Sequence, residues 1–196
     1  MELIGTLLLT LAVAGGDPMA VGLVFMAILY YGSHISGGHY NPAVTTAVFV
    51  RGKMDLLEAL KYILAQIVGA LLALWLYAAA TGNVFSHEAA VAGSTGMAVF
   101  MEGLLAVVFV WIVLQMNMSK RYKGNMVFGF VIGLTLTAVM ILGGKVNPAL
   151  SASVLLNDAF KGIPMADLNH ILVYVISPLV GGAVAAGLFQ YLNPTE

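Results

Sequence analysis

Two Asn-Pro-Ala triplets, at residues 41–43 and 147–149, each open a short apolar run, 42–50 and 148–156. At 1.5 Å per residue, a helix of that length reaches about half-way through the ~30 Å hydrocarbon core of a bilayer. Composition makes the bilayer the relevant solvent: 61% of the 196 residues are hydrophobic and 9% are charged, against roughly 25% charged in ordinary soluble domains. Segments 55–80, 97–118, 125–143 and 168–192 are long and apolar enough to cross. Segments 2–15 and 19–34 are shorter and are split by Gly15-Gly16-Asp17-Pro18, a turn signal that a continuing helix tolerates poorly. They read as two short crossings. The amino-terminal segment lacks a basic flank and a small-residue cleavage site, so it reads as a retained first crossing rather than a signal peptide. The expected fold class is an all-α membrane protein with six transmembrane helices plus two re-entrant half-helices.

Helix-start chemistry explains the triplets. Asn is a favoured N-cap, and Pro suits the first helical position because its missing N–H would have had no partner there. Both short runs therefore begin as helices at Pro42 and Pro148. Non-helical backbone at membrane depth survives only where protein or a watery cavity satisfies it, so the preceding loops, 33–40 and 142–146, are expected to line a cavity.

The chain repeats itself. "YILAQIVGALLA" from Tyr62 matches "YVISPLVGGAVA" from Tyr174, and "ELIGTLLL" from Glu2 is mirrored more weakly by "EGLLAVVF" from Glu102. This predicts one membrane domain over 1–196, with repeat one at 1–82 and repeat two at 93–196. Each copy holds three crossings and a half-helix, and an odd number of crossings forces the second copy to enter from the opposite side, giving an inverted repeat. Arg51, Lys53, Lys61, Lys120, Arg121 and Lys123 fall on one side of that topology and Lys145 and Lys161 on the other. The positive-inside bias then places both termini in the cytoplasm, in a cell (plasma or inner) membrane.

Inversion brings the two half-helix N-termini together near the midplane. Each carries roughly half a positive charge and free N–H donors, and Asn41 and Asn147 add amides. Such a gap repels cations and turns the hydrogens of a passing water away from the centre, which interrupts a proton relay. Carbonyls of Gly37, Gly38 and His39, with those of Gly143, Gly144 and Lys145, would supply acceptors along the wall. The reading is a narrow path for water and small neutral solutes.

"SGGHYNPAVT" and "VNPA" resemble the two signatures of the aquaporin or major intrinsic protein family, and the match extends over nearly the whole chain, including the Glu near the start of each repeat. The resemblance implies one pore per protomer, a homotetramer, and passive transport of water or small uncharged molecules. It also implies that Glu2 and Glu102 are structural, bracing the half-helix loops. Pore residues carried over are Asn41, Pro42, Ala43, Asn147, Pro148 and Ala149. The family's Arg after the second triplet is here Leu150, so this is an atypical member lacking the filter Arg. Met140 stands where water-selective members often have His, Val21 where an aromatic is common, and Gly144 is the fourth constriction position. That constriction is apolar, and an apolar ring also gates by dewetting. Ser151 stands where glycerol-conducting relatives place Asp. Lys145 has two readings: a solvated loop lysine outside the bilayer, which usual lysine hydration favours, or a positive charge near the mouth.

Other chemistry is sparse. There is no cysteine, and the net charge of -1 gives no footprint for nucleic acid. His34 and His39 are not at the i, i+4 spacing of a helical metal pair. His87 and His170 lie near segment ends and read as surface residues, and the tyrosines as interface anchors or lipid-facing groups. No cofactor fingerprint, nucleophile elbow or carboxylate pair points to an enzyme. Gly69, Gly181 and Gly182 fit close helix contacts. Against the neutral-solute channel stand a pore that leaks ions or protons because the Arg is missing, and a closed or structural protein plugged by Val21, Met140 and Leu150.

Overall fold

The structure, a computed structural model, describes residues 1–85, 94–161 and 168–195. His87 and the expected repeat boundary at residue 93 lie outside the described residues. Among the described residues the secondary structure is helical, with no strand: α1 (Glu2–Ala14), α2 (Pro18–Ser36), α3 (Pro42–Val50), α4 (Leu56–Thr81), α5 (Thr95–Met118), α6 (Phe128–Ile141), α7 (Pro148–Phe160) and α8 (Leu168–Leu192), with a short 3-10 turn at Lys120–Tyr122. Four of these, α2, α4, α5 and α8, are long and apolar enough to cross a membrane, and α1 and α6 are shorter apolar helices of 13 and 14 residues. The chain is an integral, multi-pass membrane protein.

Local chemistry sets the boundaries. Asp17 caps α2, accepting from Met19 N–H at 2.9 Å, with Pro18 in the first turn. Asp55 caps α4 in the same way through Glu58 N–H at 2.8 Å, and Gly82 ends it at φ 73°. Helix α6 is shorter than the apolar run 125–143 suggested. Asn125 turns the chain before it by accepting from Val127 N–H at 2.8 Å, and Gly143, at φ 90°, follows its end. Helix α7 outruns the apolar stretch 148–156, because Asn157 and Asp158 continue the helix, with Asn157 buried. The two helices that follow the triplets are therefore unequal, at 9 and 13 residues. Near its start α8 contains a π turn, Leu172–Ile176. Pro178 lies just beyond it and has no N–H to donate back to Tyr174, so the ladder is re-threaded there.

Helices α1 and α4 lie side by side, as do α5 and α8, and α2 packs on α6. Glycines allow these approaches. A Cβ built on Gly69 would lie 2.2 Å from the Leu3 carbonyl oxygen, one on Gly181 2.7 Å from that of Gly103, and one on Gly133 2.5 Å from that of Gly22. Without a hydrophobic force between helices in lipid, such close backbone packing carries the association. Helix α3 docks on α8 and α7 on α4, so each short helix rests on the last helix of the other half of the chain. At Gly182 a Cβ would meet the Ala43 carbonyl oxygen at 2.2 Å. The core between these layers holds Val21, Phe25, Leu29, Phe109, Ile132 and Leu136.

Candidate functional site

The N-terminal ends of α3 and α7 meet inside the bundle. Asn41 caps α3 by accepting from Ala43 N–H at 2.8 Å, and its Nδ2 donates across the gap to the Val146 carbonyl at 2.8 Å. Asn147 repeats the pattern, accepting from Ala149 N–H at 3.1 Å and donating to the Tyr40 carbonyl at 3.1 Å. Each asparagine thus closes its own helix with its oxygen and ties the opposite loop with its nitrogen. Pro42, Ala43, Pro148 and Ala149 are buried around the junction.

This crossing requires an unusual backbone. Tyr40 and Val146, the residues before the two asparagines, adopt φ of 49° and 46°, a left-handed region that a β-branched side chain such as Val rarely enters. Surrounding hydrogen bonds hold them there. Glu2 Oε1 accepts from Ser36 Oγ at 2.7 Å and His39 N–H at 3.1 Å, while Oε2 accepts from Tyr40 N–H at 2.6 Å and Gln66 Nε2 at 2.7 Å. Glu102 does the corresponding work at the second loop, accepting from Lys145 N–H at 3.1 Å and from Val146 N–H. Both carboxylates are 4% exposed, and a buried carboxylate is tolerated when donors surround it. Gln66 also donates to Thr45 Oγ1 at 3.0 Å, which lies 3.1 Å from His39 Nδ1. His39 is buried and His34 exposed, and among the described residues no group of three metal-ligating side chains exists.

A cavity of about 100 Å³ abuts the two asparagines, with room for a few waters. Val21, Met140, Leu150 and Lys145 line it together with Asn41 and Asn147. The rings of Phe25 and Phe109, with centroids 5.9 Å apart, form part of its wall. Gly144 is not among the liners: it is buried against Leu105 and Val139, where a Cβ would lie 2.7 and 2.9 Å from their side-chain carbons. Lys145 takes that place on the wall. It is partly buried, and its ammonium sits 5.0 Å from the centroid of the Tyr174 ring, so it is not a freely solvated loop lysine. Gly37 lines a second, larger cavity of about 630 Å³, with Ser33, His34, Lys120, Lys123 and Phe128. Gly38, His39 and Gly143 line neither cavity; they lie in the loops that lead to the triplets, with Gly38 at φ 68°.

Several residues of the site escape a reading of the sequence. Gln66 and Thr45 are fully buried, and their signal is weak: one amide and one hydroxyl inside apolar runs, which must find partners. The left-handed turns at Tyr40 and Val146 carry no local signal, because neither residue type favours that conformation. Tyr40 and Tyr174 are buried in the interior rather than placed at an interface or facing lipid.

Three kinds of comparison place the chain among known proteins. The family model for "Major intrinsic protein" matches residues 1–189. The chain is 37% identical to the glycerol uptake facilitator protein-like 6 of Lactiplantibacillus plantarum, covering 94% of this chain and 93% of the relative. It is 31% identical to the probable aquaporin AqpM of Archaeoglobus fulgidus, over 90% of this chain and 77% of that protein. In fold it is similar to the aquaglyceroporin from Plasmodium falciparum, with a TM-score of 0.85 at 19% identity, covering 99% of this chain and 95% of that one.

Proposed function

Because the chain belongs to the major intrinsic protein family, whose members are channels rather than enzymes, we propose that it is a passive transmembrane channel for water and small neutral solutes. One observation carries this reading: two capped helix N-termini face each other beside a cavity large enough for water, and the asparagine amides that link them also border that cavity.

Transport follows from the electrostatics of that junction. The ends of α3 and α7 each present about half a positive charge, and their N–H dipoles point at the gap. A neutral molecule passes this field by reorienting, whereas a cation must leave water for a low-dielectric, like-charged site. A water accepting from Asn41 and Asn147 turns its hydrogens outward, which interrupts a proton chain at the centre. Glu2 and Glu102 act on the path indirectly, by holding the loop backbones so that Tyr40 and Val146 keep their left-handed turns.

Selectivity for size resides at Val21, Met140 and Leu150. Their side chains offer no hydrogen-bond donor, so they sort solutes by cross-section and by the cost of drying an apolar ring. The flexible Met140 thioether adapts to the passing molecule. The carbonyls of Gly37 and Lys145, in the loops that lead to the triplets, supply acceptors on the approaches to the gap. The working unit in this reading is a homotetramer with one path per protomer, two inverted repeats forming each path, and both termini in the cytoplasm of a plasma or inner membrane.

Stopped-flow osmotic measurements on proteoliposomes test the proposal with water, glycerol, urea, ammonia and hydrogen peroxide. Protein-dependent flux of at least one of these, without ionic current, is the expected result. Permeabilities equal to those of protein-free vesicles for the whole panel would leave a closed or structural protein, and current in planar bilayers would favour an ion-permeable pore.

A further inference from the structure

A threonine inside a helix ordinarily gives its hydroxyl to the carbonyl one turn back. Thr45 does so to Asn41 at 3.2 Å, Thr135 to Val131 at 2.8 Å and Thr137 to Gly133 at 3.3 Å. Thr6 and Thr10, one turn apart on α1, do not, and neither side chain hydrogen-bonds to a described residue. Their surroundings differ. Thr6 is fully buried with its Oγ1 sealed in the packing, whereas Thr10, 2% exposed, lines the 100 Å³ cavity and its Oγ1 is not sealed. We propose that the Thr10 hydroxyl is a solute-binding group of the channel, accepting the hydrogen that a passing water or polyol cannot give to the asparagines. The inference rests on the channel reading above.

Thr10 falls between two parts of the path. Nearer its start α1 rests on the first loop, where a Cβ on Gly5 would meet the Tyr40 ring at 2.2 Å. Three residues beyond Thr10, Val13 packs against the cluster of Leu74, Leu150 and Val154. At about 1.5 Å per residue, Thr10 lies about 4.5 Å short of Val13 along the helix. Its hydroxyl is thereby set between the asparagine junction and the apolar side chains of the constriction.

The other polar side chains on the wall offer a solute N–H. The oxygens of Asn41 and Asn147 are engaged as helix caps by Ala43 and Ala149, and each amide keeps one hydrogen beyond the one it gives to the facing loop. The Lys145 ammonium can only donate. Among the described side chains that line the cavity, Thr10 therefore holds the uncommitted oxygen. A solute whose oxygen accepts from the asparagines still carries its own O–H hydrogens, and Leu9, Val13, Phe25 and Phe109 give them no acceptor side chain. Stripping water from an O–H without a new partner is costly, and the Thr10 oxygen offsets that cost. Because the hydroxyl has no protein bond to surrender first, it is ready for the solute in place.

The test measures water and glycerol flux in proteoliposomes, and thermal unfolding in detergent, for the full-length protein and its variants. Thr10→Val keeps the shape and removes the oxygen. Flux of both solutes is expected to fall about three- to tenfold, the worth of one ordinary hydrogen bond, with a steeper temperature dependence. The unfolding temperature is expected at or above that of wild type, because no protein bond is lost. Thr10→Ser restores the oxygen and the flux, whereas Thr10→Ala, which adds room but no oxygen, stays low. Thr6→Val, one turn away and sealed, leaves flux unchanged and controls for an apolar substitution in α1. Unchanged flux in Thr10→Val, recovery in Thr10→Ala or an equal loss in Thr6→Val overturns the inference and leaves the channel reading standing. A lowered unfolding temperature in Thr10→Val would assign the hydroxyl to structure and overturn it as well. Absence of any neutral flux in wild type overturns the channel reading and this inference with it.

Discussion

At the first helix tip one carboxylate, Glu2, gathers two backbone and two side-chain donors; at the second, Glu102 gathers the backbone N–H groups of Lys145 and Val146. The matched segments "YILAQIVGALLA" and "YVISPLVGGAVA" show where the difference arises. Gln66, which donates to Glu2, is aligned with Pro178, which has no side-chain donor. In the second half Lys145 lies over Tyr174 at 5.0 Å where the first half pairs His39 with Tyr62, ring centroids 5.2 Å apart, and Ser177 ties α8 to the Val99 carbonyl at 2.6 Å. The backbone geometry at the tips is nevertheless nearly the same, with φ of 49° and 46° before the two asparagines. The lesson is that the two halves share the tip geometry and hold it with unequal donor sets, four groups on Glu2 at one tip and two backbone N–H groups on Glu102 at the other.

Removing the carboxylates breaks the comparison most strongly. Glu2→Ala removes the acceptor of four donors, three of them buried, and is expected to cost about 4 kcal/mol, against about 2 kcal/mol for Glu102→Ala, on the scale of 1–3 kcal/mol per unsatisfied buried group. Thermal unfolding in detergent checks the order; equal losses would mean that the side-chain donors at Glu2 contribute nothing. Next come the glycines. Gly69→Ala drives a methyl to 2.2 Å from a backbone carbonyl, whereas Gly181→Ala meets one at 2.7 Å. Overpacking predicts losses of about 3 and about 1–2 kcal/mol respectively, read by the same unfolding assay.

The asparagines should respond alike. Asn41→Ala and Asn147→Ala each remove one cap and one cross-gap bond, for about 1–2 kcal/mol apiece, and unequal losses would show that the two tips are not energetically equivalent. Asn41→Asp adds a different outcome: a negative charge between two helix N-termini weakens cation exclusion, which K⁺ current in planar bilayers detects. The folding cost of Leu150→Arg is expected at about 1–3 kcal/mol, because the side chain packs on Leu74 and Val154 although it also lines the cavity that the guanidinium would enter. Its effect on solute range is also marked: glycerol flux falls relative to water flux. An unchanged ratio would mean that Leu150 does not border the path.

Much of the fold was legible because helix starts and bilayer lengths have local signals. Asn41-Pro42 and Asn147-Pro148 each announce a cap and a first turn, and the structure begins α3 and α7 there; Gly15-Gly16-Asp17-Pro18 announced a break, and α2 begins at Pro18. Helix ends were less legible. Apolarity stops at residue 156 although α7 continues through Asn157 and Asp158, because a buried polar residue can extend a helix that hydropathy alone would close. At the site, the sequence drew attention to positions 41 and 147 but not to the crossed bonds between them, which depend on the left-handed turns at Tyr40 and Val146. Gly144 and Lys145 show the same limit. Counting back from the triplet cannot say which of two adjacent residues faces a cavity, and the backbone twist at Val146 decides it.

The most direct measurement of the central claim is the osmotic water permeability of proteoliposomes as a function of temperature, beside protein-free vesicles of the same lipid. A file of water passing between Asn41 and Asn147 predicts permeability that rises in proportion to protein content and depends only weakly on temperature. Permeability and temperature dependence equal to those of the bare bilayer would contradict it.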